Sequence, residues 1–400
     1  MRIGGFDAVE NEAGVGVSAT LSWEDSDRPD DTLYFDSPRI RPAELIDRPE
    51  AFVLAAFPLA LWFGERRVLV EGVVCPRLRE GAALAVEQMI DWHPHLRPMT
   101  LEAGGGFVPS VPPTRRHAAV FLSGGIDSMS LFRRNRLEYP PEHPGSIRTA
   151  FFVFGLNTFD FERGAIVPER RAAAARYAER LGAFARSQGV EFVPVESNIR
   201  GLYPEFSDWK AVGWGLGTVA PGLAAAGGIS DLWVASTGAG LDMGNRAQTS
   251  LAPWVSPAAL DFRVGERVAR RLEEIRLVSE WRGAGAVVSS CFLSEILEEP
   301  RINCGVCEKC VRTMLAIVAL GKVSEMESFP SDTLTAALVD RVADSVDPEK
   351  ARYYHGLPAL LRDVGRPDLA AAVESLIQAV PPRPASSPPG FWGRVLRRPS

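Results

Sequence analysis

The sequence has no excess of positive charge and no long, strongly apolar run. Its 400 residues carry 44 Lys and Arg against 50 Asp and Glu, a net charge of −6. This balance argues against attachment to nucleic acid or anionic lipid by charge alone. The uncharged run 51–63 is too short to span a bilayer, and the run 211–230 contains several glycines and a proline. We therefore expect both runs in a protein core, with no membrane segment and no nucleic-acid partner.

Cysteine is also scarce, and the first residues lack the apolar segment of a secretory signal. We therefore expect a cytoplasmic protein, in which five cysteines do not form a disulfide framework. Cys75 stands alone in an apolar segment, which favours a buried structural side chain. The other four lie within twenty residues, and no histidine has ligand spacing to them.

Residues 118–289 alternate short apolar runs with helical stretches. The predicted strands are 120–122, 150–154, 192–195, 232–235 and 286–289, and the predicted helices are 127–137, 168–188, 208–227 and 263–281. Such alternation implies parallel strands joined by right-handed crossovers. We therefore expect an α/β fold whose doubly wound parallel sheet has five strands and binds its ligand at their carboxyl ends.

Four segments are predicted along the chain. They are a small α+β domain of unknown role at 1–115, the α/β domain at 116–325, a helical extension at 326–380 and a disordered Pro/Arg-rich tail at 381–400. The first segment and the tail contain no motif that carries chemistry. Each is a candidate contact for a protein partner.

The first predicted strand runs directly into Ser123-Gly124-Gly125-Ile126-Asp127-Ser128, and a helical pattern follows. A strand, a glycine turn and a helix direct backbone N–H groups to one point, which suits a phosphate oxygen. The two serines add hydroxyl donors, and Asp127 indicates a helix cap or a Mg²⁺ bound to phosphates. The loop has neither the Walker A nor the Gly-x-Gly-x-x-Gly pattern. A capped strand-to-helix turn without a ligand is the alternative.

This hexapeptide resembles the SGGxDS motif of the PP-loop, or N-type, ATP pyrophosphatases, whose fold is of the adenine nucleotide alpha hydrolase (HUP) type. The resemblance implies cleavage of ATP between its α and β phosphates, which yields an adenylated substrate and pyrophosphate. Asp127 and Ser128 would be catalytic, and Ser123, Gly124, Gly125, Ile126, Asp127 and Ser128 would bind the nucleotide. It also implies that Phe154 and Gly155, at the end of the second strand, lie near the adenine.

Glycine and polar residues also follow the fourth predicted strand. Thr237, Gly238, Asp242 and Arg246 are candidates to face substrate or phosphate, and an ordinary surface loop is the alternative. Lys210 and Arg163 are weaker phosphate candidates, for which a solvent-exposed cation is the simpler interpretation.

The cysteine spacing, Cys291-x12-Cys304-x2-Cys307-x2-Cys310, offers four thiolates to one ion. A closed tetrahedral site is typical of structural zinc, while an iron–sulfur cluster and free thiols remain alternatives. Residues 303–313 are similar to the zinc segment of the 7-cyano-7-deazaguanine synthase (QueC) family within the PP-loop superfamily. Loop and cysteines together extend the resemblance over residues 117–322, about half of the chain.

The resemblance implies a QueC-like ligase that uses ATP, Mg²⁺ and structural Zn²⁺ to adenylate a carboxylate or amide, which ammonia or another amine then attacks. The substrate would be a small carboxylate or a modified protein or nucleobase. Position 2 is Arg, so the chain lacks the cysteine of a fused glutaminase. Two alternatives are a sulfurtransferase that thiolates a nucleobase and a non-catalytic ATP-binding module. Zinc at the four cysteines would leave only Cys75 to carry sulfur, which favours nitrogen chemistry.

Overall fold

The computed structural model describes residues 1–11, 14–156, 161–162, 165–235, 249–265, 271–291 and 301–380, and the structural statements below concern those residues. The strands are β1 (Arg2–Asn11), β2 (Gly14–Ser22), β3 (Asp31–Ser37), β4 (Arg67–Val70), β5 (Thr100–Ala103), β6 (Ala118–Phe121), β7 (Ile147–Phe154), β8 (Phe161–Glu162), β9 (Ala165–Ile166), β10 (Glu191–Ser197), β11 (Asp231–Val234) and β12 (Asp261–Val264). The helices are α1 (Pro42–Asp47), α2 (Glu50–Trp62), α3 (Pro76–Trp92), α4 (Ile126–Glu138), α5 (Pro168–Ser187), α6 (Phe206–Asp208), α7 (Trp214–Ala224), α8 (Arg271–Ser279), α9 (Glu308–Ala319), α10 (Ala336–Val342), α11 (Pro348–Ala351), α12 (Leu357–Asp363) and α13 (Pro367–Ala379). A π-helical turn, Trp209–Gly213, joins α6 to α7.

A single mixed sheet contains ten of the described strands in the order β12-β11-β6-β7-β10-β3-β2-β1-β4-β5. The strands from β12 to β10 are parallel, β3, β2 and β1 pair antiparallel, and β1, β4 and β5 are again parallel. The two short strands β8 and β9 form a separate antiparallel pair. The predicted α/β class is confirmed, whereas the predicted size of five strands is wrong.

The parallel block explains where a ligand would lie. Along the chain its strands run β6, β7, β10, β11, β12, but β6 lies between β7 and β11 in space. The strand order therefore reverses beside β6, and ligands bind α/β sheets at such a reversal, beyond the carboxyl ends of the strands. The loop that follows β6 occupies this position.

Four of the five predicted parallel strands are present, at β6, β7, β10 and β11, but the fifth prediction is wrong. Residues 286–289 form turns and irregular backbone, and the fifth parallel strand of the described chain is β12. β12 pairs with β11 in register from Asp231↔Asp261 to Val234↔Val264. It was missed because it has only four residues, two of them charged, so that no apolar run marks it. The predicted helix at 263–281 is correspondingly shorter, since α8 covers Arg271–Ser279.

Local sequence explains the helix after β6. Ile126, Met129 and Phe132 of α4 are buried at helical spacing, and Phe132 packs edge-on against Trp281 at 5.1 Å between ring centroids. Burying such a side chain stabilises the fold by about 1.5–3 kcal/mol. The helix ends at Glu138 because two prolines follow Tyr139.

The two apolar runs lie in the core, as predicted. Residues 50–61 of α2 are all buried, only its last residue, Trp62, is partly exposed, and α2 packs against α7. Since both helices are apolar on nearly every face, neither has an amphipathic pattern. No described helix is both long and apolar enough to cross a membrane.

The described chain divides into two compact units, residues 1–303 with 325–328 and residues 304–324 with the segment from 329 onward. The first unit contains the whole ten-stranded sheet, which runs across residue 115. The second unit is helical, as expected for the region after residue 330, and Tyr354 in its core donates a hydrogen bond to Glu308 at 2.9 Å. The predicted tail at 381–400 lies outside the described residues.

Candidate functional site

The loop between β6 and α4 has the predicted geometry of strand, glycine turn and helix. Gly124 has a φ of +77°, which favours glycine, and Gly125 is the N-cap of α4. No side chain caps the helix. The backbone N–H groups of Ile126, Asp127 and Ser128 meet no hydrogen-bond acceptor within the described chain. Free N–H groups and the positive end of the helix dipole therefore point toward one place, which suits an anion.

The two serines of the loop have different surroundings. Ser128 is buried and donates its hydroxyl hydrogen bond to the Gly125 carbonyl at 3.0 Å. Ser123 is exposed, lies 3.2 Å from the Ser128 hydroxyl and accepts a hydrogen bond from the Gly125 N–H at 3.3 Å. Ser128 therefore fixes the loop, and Ser123 is the serine that a ligand can reach.

The two glycines are present for different reasons. A Cβ on Gly124 would lie 1.7 Å from the hydroxyl oxygen of Tyr177, so packing against α5 excludes any side chain there. Tyr177 donates a hydrogen bond to the Val287 carbonyl at 2.9 Å, and burial raises the pKa of its hydroxyl, which keeps the donor protonated. Packing against Tyr177 therefore accounts for the buried glycine at position 124 without any ligand.

Gly125 is explained neither by its backbone nor by its packing. Its φ of −69° is open to any L-residue, and a Cβ would make only ordinary contacts, 3.4 Å to Ser123 Oγ and 3.7 Å to the Ser289 carbonyl. The residue is only half-buried. Besides the preference of helix N-caps for glycine over alanine, close approach of a ligand to the backbone is a physical reason for a glycine at this position.

Asp127 forms an ion pair that sequence reasoning missed. Its carboxylate lies 3.0 Å from the Arg271 guanidinium, which also lies 3.2 Å from Glu274 on the same helix. Burial, with the charge of Asp127 as a second cause, raises the pKa of Glu274 to about 7. No local signal in the sequence indicates this group, because α8 follows Asp127 by more than 140 residues.

Phe154 and Gly155 lie at the carboxyl end of β7, next to β6 in the sheet. Phe154 is buried, and the guanidinium carbon of Arg171 lies 3.6 Å from its ring centroid. Arg171 in turn binds Glu196 at the end of β10. At the expected adenine position, the guanidinium of Arg171 therefore covers one face of the Phe154 ring.

Thr237, Gly238, Asp242, Arg246 and Arg163 lie outside the described residues. Lys210 is exposed on the π-helical turn.

The four predicted metal ligands come together. The sulfur atoms of Cys291, Cys304, Cys307 and Cys310 lie within 4.8 Å of one another, and those of Cys304 and Cys310 are 3.8 Å apart. A tetrahedral ion with bonds of about 2.3 Å to sulfur has sulfur–sulfur edges of about 3.8 Å. An iron–sulfur cluster interposes several irons and sulfides and needs a wider arrangement. The cysteine cluster therefore fits a single metal ion.

Backbone groups stabilise this cluster. The N–H groups of Val306 and Cys307 point to the Cys304 sulfur at 3.4 and 3.3 Å, which offsets negative charge on a thiolate. Gly305, which lies between Cys304 and Val306, has a φ of +77°, and a Cβ there would lie 2.6 Å from Pro330. The fifth cysteine, Cys75, is buried as predicted and is not part of the cluster.

Comparisons with known proteins identify no relative. No protein-family model, no curated protein and no solved structure matches this chain.

Proposed function

We propose that this protein is an ATP-dependent ligase of the PP-loop type, resembling the QueC family, that adenylates a carboxylate or amide and releases pyrophosphate. The observation that carries the proposal is Gly125, a half-buried glycine that neither conformation nor packing requires, next to three free N–H groups. A phosphate group that approaches this backbone closely accounts for both features. The position of the loop at the reversal of strand order supports the same site.

In this mechanism the loop binds the β and γ phosphates of ATP. An oxygen of the substrate carboxylate or amide attacks the α phosphorus, the bond to the bridging oxygen breaks, and pyrophosphate leaves with the electron pair. The N–H groups of residues 126–128 and the Ser123 hydroxyl stabilise the negative charge that develops on the pyrophosphate. The amine nitrogen then attacks the activated carbon, and AMP departs.

Asp127 is the residue that would hold Mg²⁺ beside the phosphates. When bound there, the metal would supply positive charge against the negative charge of the pyrophosphate. Since Asp127 is paired with Arg271 at 3.0 Å, this role requires its carboxylate to exchange one cation for another. Arg271 is then close enough to the loop to interact with a phosphate itself.

The cysteine cluster would hold Zn²⁺ as a structural ion. With four sulfur ligands the ion would have no open coordination position and would stabilise the fold without acting in the reaction. Metal analysis of the purified protein tests the identity of the ion. One zinc per chain supports the proposal, whereas iron with sulfide would favour the sulfurtransferase alternative.

The decisive experiment incubates the protein with Mg²⁺, ATP, ammonia and a panel of carboxylates, and follows nucleotides by mass spectrometry. AMP and pyrophosphate in equal amounts are expected, and Asp127→Asn should abolish them because it removes the charge but keeps the side-chain shape. Glu280→Gln, an exposed carboxylate at the end of α8, is the matched control. ADP with orthophosphate, or ATP binding without any cleavage, would contradict the adenylation mechanism.

A further inference from the structure

The segment that leads to the first cysteine ligand also holds the phosphate loop. The Ser289 N–H donates a hydrogen bond to the Gly124 carbonyl at 3.0 Å. Two residues earlier, the Val287 carbonyl accepts the Tyr177 hydroxyl that fills the space beside Gly124. Two residues later comes Cys291, a member of the cysteine cluster. The segment 287–291 therefore contacts the phosphate loop through residues 287 and 289 and ends at the metal ligand Cys291.

Asn303 fixes this segment in place. Its side chain is buried, its Nδ2 donates to the Val288 carbonyl at 2.8 Å, and its Oδ1 accepts the Ser290 N–H at 2.9 Å. The same Nδ2 group lies 3.1 Å from the Ser328 carbonyl. Asn303 immediately precedes Cys304 in the chain, just as Ser290 immediately precedes Cys291. One amide side chain thus connects the approaches to two metal ligands.

We propose that metal binding at the cysteine cluster orders the phosphate loop, and that Asn303 is the positioning residue that couples them. When the metal holds Cys291, residues 288–290 keep one conformation, and the Ser289 N–H stays on the Gly124 carbonyl. Loss of the metal releases Cys291 and leaves that hydrogen bond to compete with water. The inference rests on the proposed nucleotide site for its functional consequence. Its structural part concerns only the loop and the cysteines.

Coupling of this kind is reciprocal. If zinc raises the affinity of the loop for nucleotide, then nucleotide must raise the affinity of the cluster for zinc by the same factor. We expect a factor of at least about five, the lower end of typical coupling between two sites.

The experiment compares zinc-loaded and zinc-depleted full-length protein. Affinity for Mg²⁺ with α,β-methylene-ATP, which cannot be cleaved at the α–β position, is measured by calorimetry on both forms. Zinc affinity is measured by competition with a chromophoric chelator, with and without the nucleotide analogue. Weaker nucleotide binding after zinc removal, with an equal factor in the zinc measurement, supports the coupling. Equal nucleotide affinity in the two forms, with circular dichroism unchanged, overturns it.

Two variants test the assigned residue. Asn303→Ala should bring the coupling factor close to one while one zinc per chain remains bound. The matched control is Asn135→Ala, since Asn135 is also buried and bridges the Gly145 carbonyl and the Ile147 N–H at 2.8 Å each, away from the loop. Ser328→Ala serves if Asn303→Ala does not fold, because it removes the 2.8 Å hydrogen bond from Ser328 Oγ to the Val288 carbonyl and the 3.3 Å one from Asn303 Nδ2 to Ser328 Oγ. An unchanged coupling factor in Asn303→Ala, or in Ser328→Ala if Asn303→Ala does not fold, would refute the role of Asn303.

A further readout needs no nucleotide. Hydrogen exchange of residues 122–129, followed by mass spectrometry, should become faster when zinc is removed and should do so in Asn303→Ala even with zinc bound. Unchanged exchange overturns the coupling whether or not ATP binds. Conversely, zinc-loaded protein that binds no nucleotide overturns the proposed function, while the exchange measurement still decides the coupling.

Discussion

Replacing each loop glycine separately by alanine distinguishes a position required by packing from one required by a ligand. In Gly124→Ala the new Cβ needs the space of the Tyr177 hydroxyl, and residue 124 must keep a φ of +77°. The left-handed backbone costs about 1–2 kcal/mol for a residue other than glycine. Displacing the tyrosine leaves a buried hydrogen-bonding group unpaired, at about 1–3 kcal/mol. We therefore expect Gly124→Ala to lose roughly 2–5 kcal/mol of unfolding free energy.

Gly125→Ala should behave in the opposite way. Its backbone conformation is allowed, and the new Cβ would lie no closer than 3.4 Å to another heavy atom. Alanine restricts the unfolded chain, which stabilises by about 0.4–1 kcal/mol, and it is a poorer N-cap than glycine, which offsets that gain. The unfolding free energy should therefore change by less than about 1 kcal/mol. Affinity for Mg²⁺ and ATP should fall about 10- to 100-fold, because at least one charge-assisted hydrogen bond to phosphate is lost.

The assay combines urea denaturation, followed by tryptophan fluorescence, with calorimetric titration of the nucleotide. The diagnostic result is a stable Gly125→Ala that binds poorly beside a destabilised Gly124→Ala. If Gly125→Ala binds Mg²⁺ and ATP as tightly as the unaltered protein, ligand approach does not explain that glycine, and the argument for the phosphate site fails.

Three further outcomes are expected. Between pH 4.5, the ordinary carboxyl pKa, and about pH 7, folded Glu274 keeps a proton that the unfolded chain has lost, so the stability of the protein falls as the pH rises. Glu274→Gln should therefore lose less thermal stability from pH 5 to pH 8 than the unaltered protein. Equal losses in the two proteins would contradict the raised pKa of Glu274. Elemental analysis of Cys304→Ser should show that bound metal falls from one ion per chain to nearly none, whereas Cys75→Ser should keep its ion. If both variants keep the ion, the cysteine cluster is not the metal site. Tyr177→Phe should lower the unfolding free energy by about 1 kcal/mol in urea denaturation, since the hydrogen bond to the Val287 carbonyl is lost. An unchanged unfolding free energy would mean that the Tyr177 hydroxyl does not stabilise the loop.

Local patterns in the sequence were sufficient to predict the helices and strands whose apolar spacing and ends are unambiguous. The strand before the loop, α4 and α5 are confirmed near their predicted bounds, because buried residues recur at regular spacing and prolines mark the end of α4 and the start of α5. The cysteine cluster was also predictable, since three ligands are close in sequence and only Cys291 must arrive from elsewhere.

Pairing between distant segments was not predictable in the same way. The sequence of a β-strand does not specify which other strand it pairs with. The pairing of β10 with β3 and the full number of strands in the sheet were therefore missed. Arg271 and Tyr177 reach the loop from helices far along the chain, and no motif accompanies them. Both residues modify the candidate site: one neutralises its carboxylate, and the other occupies the space beside its first glycine.

The pairing of β10 with β3 has a consequence for any shortened form of the protein. A fragment that began at residue 116 would lack β3, and the backbone donors and acceptors of Glu196 and Ser197 would lose their partners. Strands left open in this way recruit other chains and promote aggregation. The amino-terminal region thus covers the edge of β10 with β3, a reason for its presence that requires no binding partner.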